Sequence, residues 1–210
     1  MKHAQKLMCF TAAFGINQVF LNVLQSRQSH LNYLFLEKWG VNKKLVEETQ
    51  RLVGQDAYNQ VAVGNYLSHD VLAQYLEKRA LVERKNPISS FFYYTHGKYM
   101  LVDPLGDDPL VITGSANFSN ASTKDNDENM VIVRGDKRVA DIYLGEFMRL
   151  WQHYRYRYIE NKNAAAGVGK DYEPNYLDPT PVWSDPYYRA NSVKYRKRQA
   201  FVGPMSVTND

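Results

Sequence analysis

Thr95-His96-Gly97-Lys98-Tyr99-Met100-Leu101-Val102-Asp103, followed by Val111-Ile112-Thr113-Gly114-Ser115-Ala116-Asn117-Phe118-Ser119, is the stretch on which the reading of this chain turns. Residues two apart on a strand share a face, so His96 and Lys98 project together before Tyr99–Val102 returns the chain to a core. A histidine beside a fixed positive charge suits chemistry on a phosphate ester. Gly114-Ser115-x-Asn117, closing the next apolar run, offers a tight turn, a hydroxyl and an amide, all able to bond phosphate oxygens. Glu128 lies 13 residues past Ser115, at the start of a further extended segment, Asn129–Val133. From there it could hold the second ring nitrogen of His96 and so fix its tautomer.

Outward from this motif, strand-like and helix-like segments alternate. Leu7–Phe14 and Leu31–Leu36 read as buried strands, and Val61–Leu67 as a short one. Between them, Asn17–Ser26 and Lys43–Leu52 carry apolar residues at helical spacing, and Ser68 with Asp70 opens a third helix through Val71, Leu72, Tyr75 and Leu76. Phe91–Val102 and Leu110–Thr113 are extended, with Phe91, Phe92, Tyr93 and Tyr94 expected in the core and the cleft wall. Residues 137–158 give the longest helical signal, from Val139 and Tyr143 through Phe147, Leu150, Trp151, Tyr154 and Tyr158. The alternation predicts an α/β layered domain over residues 1–160, with a mixed, mostly parallel sheet and helices on both faces.

The chain has 210 residues, 44% hydrophobic and 23% charged, with one cysteine. That composition excludes wholesale disorder, a collagen-like repeat and an internal disulfide scaffold. No uncharged stretch approaches the roughly 20 residues of a membrane span. Lys2 and Lys6 before Leu7–Phe14 imitate a signal peptide, but a second apolar segment follows at once and the run reads better as a strand. The expectation is a soluble, cytoplasmic protein. The net charge of +4 is unevenly placed: sixteen basic and sixteen acidic residues fall in 1–148, ten and six in 149–210. Residues 161–210 thus form a basic, Tyr- and Pro-rich tail, expected to pack irregularly on the domain after a linker-like Asn163–Gly169, and no secondary structure is assigned to it.

H-x-K-x4-D joined to G-S-x-N and a downstream acid resembles the signature of the phospholipase D superfamily, the HKD phosphodiesterases. HGKYMLVDPLGDDPLVITGSANFS and NDENMVIVRG look most like the second half of bacterial members with two such domains. The resemblance implies that His96 is the nucleophile that forms a covalent phosphohistidine. It implies further that Lys98, Ser115 and Asn117 bind phosphate oxygens and that Glu128 orients His96. Asp103 matches the motif aspartate among the catalytic set, with a role in the family more structural than chemical. Neither a cofactor nor a metal is implied, since lysine and asparagine supply the charge stabilisation. Asp107 and Asp108 resemble a metal pair but read as a solvated loop after Pro104-Leu105-Gly106.

The departure from the family is the motif count. Family sites combine two HKD motifs, one histidine attacking and the other protonating the leaving group. Here His3, His30, His69 and His153 have no lysine two residues on. The expected partner is a second HKD half, from an isologous homodimer mate or from a missing N-terminal domain, and the likeness to second halves favours the latter. The substrate is a phosphodiester: a phospholipid first, with nucleic acid as the alternative if the basic run Lys194–Arg198 lines the cleft. A silent interaction module is the third reading.

Overall fold

The computed structural model describes residues 4–26, 31–64, 96–119, 122, 124–167 and 179–202. The expected helix after Ser68, the aromatic run Phe91–Tyr94 and His3, His30 and His69 lie outside the described residues.

Six strands form one sheet in the order β3-β2-β1-β4-β5-β6. The strands are β1 (Leu7–Ala12), β2 (Leu31–Leu36), β3 (Asn59–Val63), β4 (Tyr99–Val102), β5 (Leu110–Gly114) and β6 (Met130–Arg134). Helix α1 (Gln18–Gln25) connects β1 to β2, and α2 (Lys43–Gln55) connects β2 to β3. These two crossovers make β1–β2 and β2–β3 parallel. The expectation of a mostly parallel sheet is corrected by the other half: β1–β4, β4–β5 and β5–β6 are antiparallel. The loops from β4 to β5 and from β5 to β6 contain no described crossover helix that could return the chain to a parallel start.

Side-chain alternation along the strands builds two cores, as a sheet covered on both faces requires. Leu7, Cys9, Leu31, Tyr33, Phe35 and Leu101 face α3 (Lys137–Ala165), which contributes Ala140, Leu144, Phe147 and Trp151. Met8, Phe10, Leu34, Leu36, Val61 and Met100 face Leu21 and Leu24 of α1 and Leu45 and Leu52 of α2. Both short helices start on an asparagine cap: Asn17 accepts from the Phe20 N–H and Asn42 from the Leu45 N–H, each at 3.1 Å. Trp151 Nε1 donates to the Leu34 carbonyl at 3.1 Å and fixes α3 across the sheet.

The two margins of the sheet differ. Asn59, Val61 and Ala62 of β3 are buried, and Arg155 of α3 donates to the Val61 carbonyl at 2.6 Å. On β6, Met130, Val131 and Ile132 are 50%, 52% and 61% exposed.

Helix α3 passes residue 160 and runs to Ala165, through the stretch expected to be a linker. Alanines are the best helix formers, and Gly167 at φ +68° follows in the left-handed conformation that favours glycine. The tail is also more regular than expected. A 3-10 turn (Pro181–Ser184) leads into α4 (Asp185–Tyr188), and the basic run is helical in α5 (Val193–Val202). Ser192 Oγ caps α5 by accepting the Tyr195 N–H at 3.0 Å. Among the described residues no helix is long and apolar enough to cross a membrane.

The buried hydroxyl of Thr11 fastens β4 where it begins. Its Oγ1 accepts the Tyr99 N–H at 2.8 Å and donates to the Tyr99 carbonyl at 3.0 Å. Thr11→Val keeps the shape and strands both backbone groups, so it is expected to cost about 1–3 kcal/mol in urea unfolding. Thr11→Ser is expected to retain most of the stability.

Candidate active site

The chemistry-bearing residues gather at the carboxyl ends of β1 and β2, where β4 begins and β5 ends. His96, Gly97 and Lys98 precede the first residue of β4, so the motif pair sits just before the strand, not on it as expected. The two side chains still meet. Lys98 Nζ lies 2.8 Å from His96 Nδ1 and 3.0 Å from Nε2, so the ammonium contacts the ring close to both nitrogens. His96 is exposed and Lys98 partly buried. Burial holds the Lys98 ammonium below the usual lysine range, and the carboxylates of Glu128 and Glu37 pull it part of the way back. Phe14, at the end of β1, presents its ring to His96 edge-on with centroids 6.3 Å apart.

The turn after β5 is clamped to the start of β6. Asn129 N–H donates to Ser115 Oγ at 2.9 Å, and the Ser115 N–H faces both the Asn129 carbonyl and its Oδ1 at 3.2 Å. Ser115 Oγ accepts here, so its own proton remains available to an incoming oxygen. Gly114 is required by proximity: a Cβ there would stand 2.2 Å from the Asn129 carbonyl oxygen. Asn117 follows with Oδ1 buried and without a hydrogen-bond partner; of its amide, only Nδ2 can donate to an anionic oxygen.

Of the six residues singled out in the sequence, His96, Lys98, Ser115 and Asn117 belong to this end of the sheet. Glu128 does too, but it makes no hydrogen bond to His96; its charge acts on Lys98 instead. Asp103 is at the far end of β4. Its carboxylate accepts the backbone N–H groups of Gln5, Lys6 and Leu7 at 2.8, 2.8 and 3.0 Å, which ties β4 to the start of β1. Asp107 and Asp108 pair with Lys137 at 2.8 Å and Arg134 at 2.5 Å, the behaviour of a solvated loop. His153 is on α3 with its ring against Tyr154. Glu37 was not anticipated. It is 8% exposed at the end of β2, with Oε2 unpartnered. An acid closing an otherwise apolar strand, LNYLFL before Glu37, was the available signal.

The described part of the basic tail does not line this site. Arg196 stacks on Tyr58 and Lys197 on Tyr33, and Tyr195, Arg196 and Gln199 share a shallow pocket with Gln5, Lys6 and Leu31. Those last three mark the amino ends of β1 and β2, the opposite end of the sheet from His96.

Residues 37–151, more than half of the chain, match the family described as cardiolipin synthase, PLD-like domain, and the chain belongs to this phospholipase D-like family. The mitochondrial cardiolipin hydrolase of Xenopus tropicalis is 38% identical over 61 residues, 29% of this chain, and the chain spans 27% of that protein's length. The crystal structure of Nuc, a phospholipase D family member from Salmonella typhimurium, is similar over 74% of this chain and 82% of that chain, with a TM-score of 0.49 and 14% identity.

Gly114→Ala tests the turn. The added methyl must displace the Asn129 carbonyl, with an expected cost of about 1–3 kcal/mol in thermal or urea unfolding. Because the displacement moves Ser115 and Asn117, phosphate binding measured by calorimetry is expected to fall with it.

Proposed function

We propose that this chain is a phosphodiesterase working through a phosphohistidine on His96, and that its substrate is a phospholipid. The contact of the Lys98 ammonium with the His96 ring carries the reading. A nucleophile and a phosphate-binding cation share one small volume, with Ser115 and Asn117 at the adjoining turn. A ring nitrogen of His96 attacks phosphorus as the phosphorus–oxygen bond to the leaving alcohol breaks, and the leaving oxygen takes a proton from a general acid. Lys98, drawn from the ring to a non-bridging oxygen, balances the charge gathering there, assisted by the Ser115 hydroxyl and the Asn117 amide. Water then attacks the phosphohistidine, releases the phosphate monoester and frees the ring.

The general acid is the part this chain does not supply among its described residues. We assign it to a second HKD half, brought by another copy of the chain or by a preceding domain. Nucleic acid is the second reading. The basic run Lys194–Arg198 would favour it by lining the cleft, whereas α5 packs at the other end of the sheet.

Turnover of bis(p-nitrophenyl) phosphate is the direct test, run beside a solution-mass measurement. His96→Ala is expected to reduce the rate at least about a thousandfold, and activity is expected to survive chelators. A monomer that keeps its activity after His96→Ala would falsify the assignment. The pH profile supplies a second check. Lys98 loses its proton below the ordinary lysine value of 10.5, and a neutral amine no longer stabilises the phosphate. The rate is therefore expected to fall on an alkaline limb that lies below that value. Lys98→Arg, charged at every accessible pH, is expected to abolish that limb while lowering the maximum rate.

A further inference from the structure

At the end of the sheet away from His96, α5 packs against the amino ends of β1 and β2 and forms with them an open pocket of about 310 Å³. That is the small end of the range for ligand sites, with room for one sugar or nucleoside and its phosphate. Each side of the pocket contributes a cation, Lys6 from the body and Arg196 from the tail. The amides of Gln5, Asn191 and Gln199 and the ring of Tyr195 complete the polar wall, which contains no carboxylate among the described residues.

These groups are held before any ligand arrives. On the body side, the backbone N–H groups of Gln5 and Lys6 donate to the Asp103 carboxylate, each at 2.8 Å. On the tail side, the Arg196 guanidinium lies 5.0 Å from the centroid of the Tyr58 ring. Asn191, in the turn from α4 into α5, has φ +70°, a left-handed conformation that asparagine adopts more readily than most residues. Groups already fixed lose less freedom on binding. The surrounding field is positive. Lys6 forms no ion pair among the described residues. Lys197, next to Arg196, is held below the usual lysine range by burial first and then by the charges of Arg155 and Lys194.

Cations from two sides suit a phosphate dianion. Three amides, each with donors and an acceptor, suit hydroxyls or ring nitrogens and offer an acyl chain nothing. A cationic ligand would find no acid in the wall. We infer that this pocket is a second ligand site, separate from His96, that takes a phosphate monoester on a small hydrogen-bonding body: a sugar phosphate or a mononucleotide. The phosphate rests between Lys6 and Arg196, and the body lies against the amides and Tyr195. Such a ligand joins the tail to the sheet, and its binding does not depend on the chemistry at His96.

Titration of the full chain carrying Lys98→Ala tests this without competition from the phosphate-binding pair. Calorimetry gives the affinity and amide chemical shifts give the place. The probes are adenosine monophosphate, ribose-5-phosphate, adenosine and inorganic phosphate. A monoester is expected to bind at least about tenfold tighter than inorganic phosphate or adenosine, and to move the amides of Tyr195, Arg196 and Gln199. Tighter binding of adenosine monophosphate assigns a nucleotide; equal or tighter binding of ribose-5-phosphate assigns a sugar phosphate. Gln199→Glu sets a carboxylate among the cations at nearly unchanged shape. Lys6→Ala removes one cation and keeps the backbone bond to Asp103. Each is expected to weaken the monoester about tenfold or more. Lys194→Ala removes an exposed cation of α5 that does not line the pocket, and is expected to change the affinity by less than about twofold. No binding, a monoester no tighter than inorganic phosphate or adenosine, shifts confined to the turn around Ser115, or an equal loss in Lys194→Ala overturns the inference.

Discussion

Three successive backbone N–H groups, those of Gln5, Lys6 and Leu7, converge on the carboxylate of Asp103. A charged acceptor bonded by several donors is among the stronger links available to a backbone. This link fixes how β4 lies on β1. Together with the Thr11 hydroxyl, which holds Tyr99 at the other end, it fastens a four-residue strand at both ends. Everything in the site follows from that placement. β4 sets where His96 and Lys98 emerge, it sets the register of β5, and β5 delivers Gly114 and its turn beside them. The motif aspartate is thus distant from His96 and Lys98 and still determines where they stand.

The site brings together two kinds of surface that are seldom adjacent. On one side, Lys98, Ser115 and Asn117 form a small charged and polar group suited to phosphate oxygens. On the other, the β1–α1 and β2–α2 connections, whose backbones meet at Gly15 and Gly40, present an apolar wall. The partial burial of Lys98 belongs to this arrangement: a less hydrated ammonium interacts more strongly with a phosphate than one in open water. Glu128 and Glu37 work against that burial by favouring the charged form.

Much of this was legible in the residues. β2 falls on Leu31–Leu36, the same bounds as the apolar run, because a fully buried strand writes itself as continuous hydrophobic sequence. The helices after β1 and β2 were marked by amphipathic spacing, and α3 by its long stripe. The motif pair was legible because two-residue spacing brings side chains together even just ahead of a strand. The antiparallel half was not, since pairing direction is set by tertiary connection and leaves little trace in a strand's composition. Nor was the helix within the basic tail. Its prolines suggested irregularity, but Ser192 begins a cap that lets Lys194–Ala200 wind up. Glu37 went unnoticed because a single acid after a strand is ordinarily a solvated end, and its burial depends on neighbours from other parts of the chain.

The unequal margins of the sheet have a consequence for assembly. β3 is closed off by α3 and the Arg155 guanidinium, whereas β6 exposes Met130, Val131 and Ile132. An uncovered strand invites another strand alongside it. A sheet open at both margins could add neighbours without limit and grow into a fibre. With one margin closed among the described residues, any strand added through β6 would use up the only exposed edge they present.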